Sequence, residues 1–176
     1  MKKIFFVVLL VSLWMVSGAA AGGLQVGDVA PDWSLPDADK NLYTMQSWAG
    51  KVLLINYNDP DEKDMNSHFN DAVKEAVNSG TLEEATFKGI GIADCKASWK
   101  PDSLIRSFGA AAAKKYKTVI LFDYDASLRG AWGLEEDSAN AILLDKNRVC
   151  RAIIRGRVPD DEVASLIQLA ADLQGE

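Results

Sequence analysis

Cys95 is the side chain in this sequence best placed to supply a nucleophile. It follows the strand-like run Ile90-Gly91-Ile92-Ala93, at the kind of edge where parallel α/β sheets place their sites. A reactive thiol needs a lowered pKa, from a helix N-terminus or a neighbouring cation. Lys96, Lys100 and a helix opening near Pro101 could provide one, while the adjacent Asp94 opposes thiolate formation. The competing reading is a half-buried cysteine that behaves as a small hydrophobe. His68 is the only histidine, so the chain alone can build neither a histidine metal cluster nor a Ser-His triad. One position before Phe69 on a helix, it reads as half exposed and structural.

The acidic stretches have two readings each. In Asp59-Pro60-Asp61-Glu62, Asp59 can cap a helix, Pro60 suits its first turn, and Glu62 takes the capping-box position. A cation site built from Asp59, Asp61, Glu62 and Asp64 is the alternative, but calcium-loop spacing is missing and Lys63 intrudes. Capping is the preferred reading. Asp37-Ala38-Asp39-Lys40-Asn41 opens like a calcium loop, yet Leu42 stands where the glycine is required, so a hairpin turn is expected. Asp123-Tyr124-Asp125 could face the same sheet end as Asp59 and take a weak cation or a basic peptide; a solvated rim is the preferred reading. Trp132 lies near a loop that could meet a partner peptide, although a core wedge is the commoner use of such a residue. No metal and no cofactor is expected.

Positioning these residues requires alternating elements. Trp33 to Met45 reads as a hairpin, and Val52 to Tyr57 as a strand buried on both faces. Met65, Phe69, Ala72, Val73, Ala76 and Val77 form a helical stripe that ends at Asn78-Ser79-Gly80. A strand at Gly89–Ala93 follows, then a helix from Pro101 with Leu104, Ile105 and Phe108 facing inward. Thr118 to Phe122 is a third core strand, and Ala126 to Leu134 a short irregular or helical link. Ala141–Leu144 and Val149–Ile154 make a second hairpin. Pro159 starts a last helix with Val163, Leu166, Ile167, Ala170 and Leu173 on one face. This order implies a mixed α/β sheet covered by helices on both faces.

Lys2, Lys3, the apolar run Ile4–Val16 and the small residues Ser17–Ala21 have the parts of a secretory signal, with cleavage expected after Ala21. The apolar run is too short to span a bilayer, so no stable membrane insertion is expected once it is removed. That leaves roughly 155 of 176 residues, 22–176, enough for one domain. The formal charge of −6 becomes −8 without Lys2 and Lys3, and the basic residues are scattered, which argues against nucleic acid. An exported domain is expected, periplasmic in a Gram-negative source.

Two stretches carry a family resemblance. Val26-Gly27-Asp28-Val29-Ala30-Pro31-Asp32-Trp33 and Gly50-Lys51-Val52-Leu53-Leu54-Ile55-Asn56-Tyr57 resemble the opening and first core strand of peroxiredoxins and periplasmic thiol-disulfide oxidoreductases. Ala131-Trp132-Gly133-Leu134-Glu135-Glu136-Asp137-Ser138-Ala139-Asn140-Ala141-Ile142-Leu143-Leu144-Asp145-Lys146 resembles the YtfJ family of periplasmic thioredoxin-like proteins, as do Ile105-Arg106 and Lys114-Lys115-Tyr116. The resemblance implies a thioredoxin-like mixed sheet with an N-terminal β-hairpin and a central strand-helix insert. If Asn56 matches the Asn that often precedes the redox Cys-x-x-Cys pair, Glu62 and Met65 occupy the cysteine positions. Counting back from Asp145, Ala139 stands where oxidoreductases of this fold place a cis-proline, and a trans bond is expected there. In that topology Cys150 lies several strand spacings of ~4.8 Å from Cys95, beyond the ~7 Å reach of a disulfide. Two free thiols are expected, or one that pairs with another molecule.

Two function classes follow. One is a non-enzymatic binding or adaptor protein for a periplasmic protein or peptide, with Asp59, Asp61 and Trp132 at its binding edge. The other is an atypical thiol peroxidase or thiol-disulfide oxidoreductase that uses Cys95 alone.

Overall fold

In the computed structural model residues 22–176 are described, and the expected signal segment 1–21 lies outside the described residues. Short strands β1 (Ser34–Pro36) and β2 (Leu42–Thr44) form the N-terminal hairpin. Its turn is tied by Asp37, whose Oδ1 accepts from the Asp39 and Asn41 backbone amides at 2.9 Å each. Asp37 therefore holds a hairpin turn, as the missing loop glycine implied.

The main sheet has the order β5-β4-β3-β6-β7, built from β3 (Val52–Asn58), β4 (Phe87–Asp94), β5 (Val119–Asp123), β6 (Ala139–Leu144) and β7 (Cys150–Arg155). The strands β3, β4 and β5 are parallel, and β6 and β7 are added antiparallel. A thioredoxin-like mixed sheet is thus present, with the hairpin and the strand-helix insert where the pattern places them.

Side-chain alternation divides the core into two layers. Leu53, Ile55 and Tyr57 of β3 pack with Trp33, Trp48, Leu121 and Trp132, under the hairpin and α3 (Ser127–Trp132). Val52 and Leu54 point the other way, to Phe69 and Ala76 of α1 (Ser67–Asn78) and to Ala170 and Leu173 of α4 (Val163–Gly175). On that same side α2 (Asp102–Tyr116) covers β5: a Cβ built on Gly109 would stand 2.5 Å from the Phe122 ring, so only glycine permits this approach. Among the described residues no helix is long and apolar enough to cross a membrane.

Three local expectations are corrected. The helix expected to open at Asp59-Pro60 starts only at Ser67, with Asn66 as N-cap residue, and Pro60–Met65 forms consecutive turns. Asn66 does not cap by its side chain, because its amide is taken by the Val158 amide and the Gly156 carbonyl across the domain. The last helix likewise opens at Val163 rather than at Pro159. In α2 only Ile105 is buried; Leu104 is 41% and Phe108 52% exposed, so two of the three residues expected inside face outward.

Candidate functional site

The parallel strands β3, β4 and β5 all end in an aspartate: Asp59 just after β3, Asp94 closing β4 and Asp123 closing β5. All three are buried. Asp94 and Asp123 are register partners on the face that carries Tyr57, so two carboxylates stand side by side beneath α3. Each is fully engaged. Asp123 Oδ2 accepts from the Tyr57 hydroxyl and the Leu128 amide, both at 2.9 Å, and its Oδ1 accepts from the Ser127 amide and hydroxyl. It thereby caps α3, whose first turn follows Ala126 in the left-handed region at φ 55°. Asp94 Oδ1 accepts from the Lys96 and Ala97 amides, and its Oδ2 takes Arg129 Nη1 at 2.7 Å. Arg129 also pairs with Glu136 at 2.9 Å.

Burial raises the Asp94 carboxyl despite the opposing pull of Arg129. Burial also raises the Tyr57 phenol, and Asp123 and Asp94 push it further the same way. With every acceptor matched to a donor, this network aims no free lone pair or proton at solvent. Among the described residues no group of three ligating side chains could hold a metal ion. The Asp94 and Asp123 carboxylates close the ends of β4 and β5, and Asp123 ties down the first turn of α3. Sequence reasoning singled out Asp59 and Asp123 at this edge but not Tyr57 or Arg129, since their pairing spans 66 and 35 residues.

The positions matched to the redox motif do come together. Asn58 pairs with Ala139 across β3 and β6, and the Asp59 amide donates to the Ser138 carbonyl at 2.9 Å. The Ser138 hydroxyl lies 4.0 Å from Met65 Sδ. Glu62 is exposed on the turn before Met65, and among the described residues no peptide bond is cis. The Met65 thioether and the Ala139 methyl group carry no thiol, and neither can exchange a disulfide.

Cys95 is 5% exposed, in a small cluster with Ile105 and Phe122. Burial, reinforced by Asp102, Asp94 and Asp123, pushes its thiol up to about 12. The nearby lysines do not reach it: Lys100 pairs with Asp61, which also accepts from the Ser98 hydroxyl. Cys150 is also buried, at the opposite end of the sheet against Leu144, and burial with Asp28 raises it to about 11. Both thiols are free, as the topology implied. The order β4-β3-β6-β7 puts three spacings of ~4.8 Å between their strands.

The expected binding edge is only partly at the surface. Trp132 is 0% exposed and wedged in the core, and so presents nothing to a partner. Asp59 is 5% exposed. The exposed indole at this edge is Trp99, at 84%, resting near Lys100 with 5.3 Å between the ammonium and the ring centre. Sequence reasoning used the flanking Lys100 and Pro101 only as a cation and a helix start near Cys95, and did not single out Trp99.

The Asp59 carboxyl is raised by burial first, then by Asp137, Asp94 and Glu62. A carboxyl held above its ordinary 3.8 makes the ionised fold less stable at neutral pH, and this penalty disappears as pH falls through the raised value. Asp59→Asn keeps the oxygen that accepts from the Asp61 amide at 2.8 Å. It is expected to raise the melting temperature at pH 7 by about 2–4 °C, with the gain vanishing near pH 4. Melting curves at both pH values check this; an equal shift at both would exclude titration of Asp59 as the cause.

A family model described as a bacterial protein of unknown function, YtfJ_HI0045, matches residues 33–173. No curated protein matches the chain in sequence. Among solved structures it is similar to a candidate protein disulfide isomerase from Bacteroides thetaiotaomicron, at 20% identity, TM-score 0.67 and coverage of 87% of this chain and 92% of that one. It is also similar to peroxidoxin BcpB from Mycobacterium tuberculosis, at 14% identity, TM-score 0.62 and coverage of 85% and 97%. The thioredoxin domain of a thiol-disulfide oxidoreductase from Bacteroides vulgatus aligns at 16% identity, TM-score 0.60 and coverage of 84% and 99%. At these identities the likeness is one of fold alone.

Proposed function

The chain belongs to the YtfJ_HI0045 family, and from that premise we propose that it is an exported, periplasmic binding or adaptor protein that keeps the thioredoxin-like fold without thiol chemistry. One observation carries the reading: the only thiol near the usual redox edge, Cys95, is enclosed and held protonated by burial among three aspartates. Glu62, Met65 and Ala139 at the motif positions support it. Residues 1–21 serve as the signal peptide in this reading and 22–176 as the working domain.

The test is the pH dependence of Cys95 alkylation, with Cys150→Ser as background. A pKa near 12 against the ordinary 9 lowers the thiolate fraction at pH 8 about a thousandfold, and burial slows the reagent further. Labelling is therefore expected to be at least about a thousandfold slower in the folded protein than in denaturant. It should show no inflection below pH 10. The competing reading, a peroxidase or oxidoreductase working through Cys95, requires fast labelling with an inflection below ~8.5. That result would displace the binding-protein reading.

A further inference from the structure

Five of the six arginines in the sequence are engaged by the fold. Arg129 pairs with Asp94 and Glu136, Arg151 with Asp145 and Glu176, and Arg157 with Asp160. Arg148 and Arg155 donate to backbone carbonyls. Arg106 alone has neither an ion pair nor a hydrogen bond from its side chain among the described residues. This half-buried residue, on the second turn of α2, lines an open pocket of about 440 Å³. The pocket lies between the β1–β2 hairpin, the start of α2 and the residue after β5. Pro36, Lys40, Leu42, Asp102 and Tyr124 complete its wall. Its volume falls in the range of small-molecule sites, roughly 300–1,000 Å³.

The walls of this pocket are held from behind. Lys40 sits in the hairpin turn, where its amide donates to the Asp37 carbonyl at 3.1 Å. Its backbone is in the left-handed region at φ 68°, which glycine adopts with less strain. The turn nevertheless carries a lysine, and its ammonium has no ionic partner among the described residues. Tyr124 stacks on Phe122 with 6.0 Å between ring centres and packs against the Cys95 cluster. Gly109 fixes α2 against the same Phe122 ring. Leu42, 71% exposed, and Pro36 supply an apolar wall beside the two cations. Groups held in place in this way lower the ordering cost of binding.

From these unpaired cations and the apolar wall beside them, we propose that the pocket binds a small ligand carrying one carboxylate next to an apolar group. An apolar amino acid and the carboxy-terminal residue of a short peptide share this chemistry. Arg106 and Lys40 take the carboxylate, and Leu42 and Pro36 take the apolar side chain. A guanidinium offers a planar fork of donors that matches a carboxylate. The lining carries two cations against the single carboxylate of Asp102, so it is net positive on a chain of net −6. Asp102, one turn before Arg106, opposes a second negative charge on the ligand and so selects a monoanion over a phosphate dianion. The assignment rests on the binding-protein reading and names the ligand class of its site.

The experiment titrates the purified chain with acetyl-alanyl-leucine, the same peptide bearing a carboxy-terminal amide, free leucine and inorganic phosphate. Calorimetry measures affinity, and two-dimensional amide NMR locates the site. Acetyl-alanyl-leucine is expected to bind in the submillimolar range and to shift the amides of Lys40, Leu42, Arg106 and Tyr124. The amidated peptide and phosphate are each expected to bind at least about tenfold more weakly, for want of a matched charge-assisted pair. Free leucine that binds as tightly as the peptide assigns the pocket to amino acids, and weaker binding assigns it to peptide ends. Arg106→Gln is expected to weaken the peptide at least about tenfold, with Arg106→Lys in between. Lys40→Gly, which the left-handed turn accommodates, is expected to weaken it as well. Arg106 has no partner within the chain to lose, and circular dichroism confirms that each variant is folded. No binding below millimolar, equal binding of the amidated peptide or of phosphate, unchanged affinity in Arg106→Gln, or shifts confined to another face would each overturn the proposal. Cys95 labelling in the same samples separates the two readings. An inert thiol with no ligand binding sinks only this pocket, whereas a fast one sinks the binding-protein reading itself.

Discussion

Trp132→Ala is expected to destabilise the protein by about 3–5 kcal/mol, the range for emptying a fully buried large aromatic site. The indole is 0% exposed, lies in the larger core layer with Trp33, Trp48, Tyr57 and Leu121, and its Nε1 donates to the Pro31 carbonyl at 3.3 Å. Its backbone is held as firmly as its ring. The Trp132 carbonyl accepts from the Leu24 amide at 3.0 Å and from Arg155 Nη2 at 3.4 Å. Gly133 follows at φ 59° as the left-handed cap of α3, packed on Gly23 so closely that a Cβ on Gly133 would meet the Gly23 Cα at 3.0 Å. Removing the ring leaves a cavity that this tethered backbone cannot collapse to fill. In a domain of this size the loss corresponds to a fall of roughly 10 °C or more in melting temperature. Urea unfolding measures it, and Trp132→Phe is expected to recover about half. A change below ~1 kcal/mol would mean that the residue is not a core wedge, and would restore it as a binding candidate.

Arg129→Met is expected to cost about 3–5 kcal/mol at pH 7, because removing one member of a buried ion pair leaves the other uncompensated. Asp94 then keeps only its two backbone donors, with Asp123 beside it in register and the Tyr57 hydroxyl already given to Asp123. The pH dependence identifies the cause. Burial already holds the Asp94 carboxyl above its ordinary 3.8, and losing Arg129 moves it further up. A group whose folded pKa is raised favours the protonated fold. Its penalty is therefore full above the folded pKa, shrinks as pH falls through that value, and is gone below 3.8. The variant should regain most of its deficit between neutral pH and pH 4, whereas a mere packing defect would not. Pairing it with Asp94→Asn should restore stability at pH 7 to within about 1 kcal/mol of the parent, since the uncompensated charge is gone. A deficit unchanged by pH and unchanged in the double variant would show that Arg129 acts through packing alone.

The arrangement of elements was legible in the sequence wherever hydrophobic period and chain order agreed. Val52–Tyr57 reads as a strand buried on both faces, and β3 is the central strand with neighbours on each side. Asp37-Ala38-Asp39-Lys40-Asn41 reads as a turn, and Asp37 ties that turn. Helix starts were less legible. Asp59-Pro60-Asp61-Glu62 carries cap chemistry, but the Asp59 amide is held by Ser138, 79 residues on, and the chain makes three successive turns before α1 begins. A local signal lost to a long-range hydrogen bond. The periodicity of α2 misled for a related reason: spacing places Leu104, Ile105 and Phe108 on one broad apolar face without saying how wide a neighbour covers it. The tight approach of Gly109 to Phe122 rotates α2 so that only Ile105 is covered.

What the sequence by itself determined is that the chain holds no Cys-x-x-Cys pair, because its two cysteines, Cys95 and Cys150, stand far apart in the chain. It also determined the layered α/β architecture, which follows from the order of apolar periods. The tertiary structure alone decided which groups meet water and which find partners. Desolvation depends on what packs from distant parts of the chain. Ile105 and Phe122 close over Cys95, and Pro31 and Tyr57 enclose Trp132. Trp99 stays exposed and Phe108 half exposed, and no donor among the described residues reaches the amide oxygens of Asn56 and Asn58. Burial sets both thiol pKa and the exposure of a binding surface.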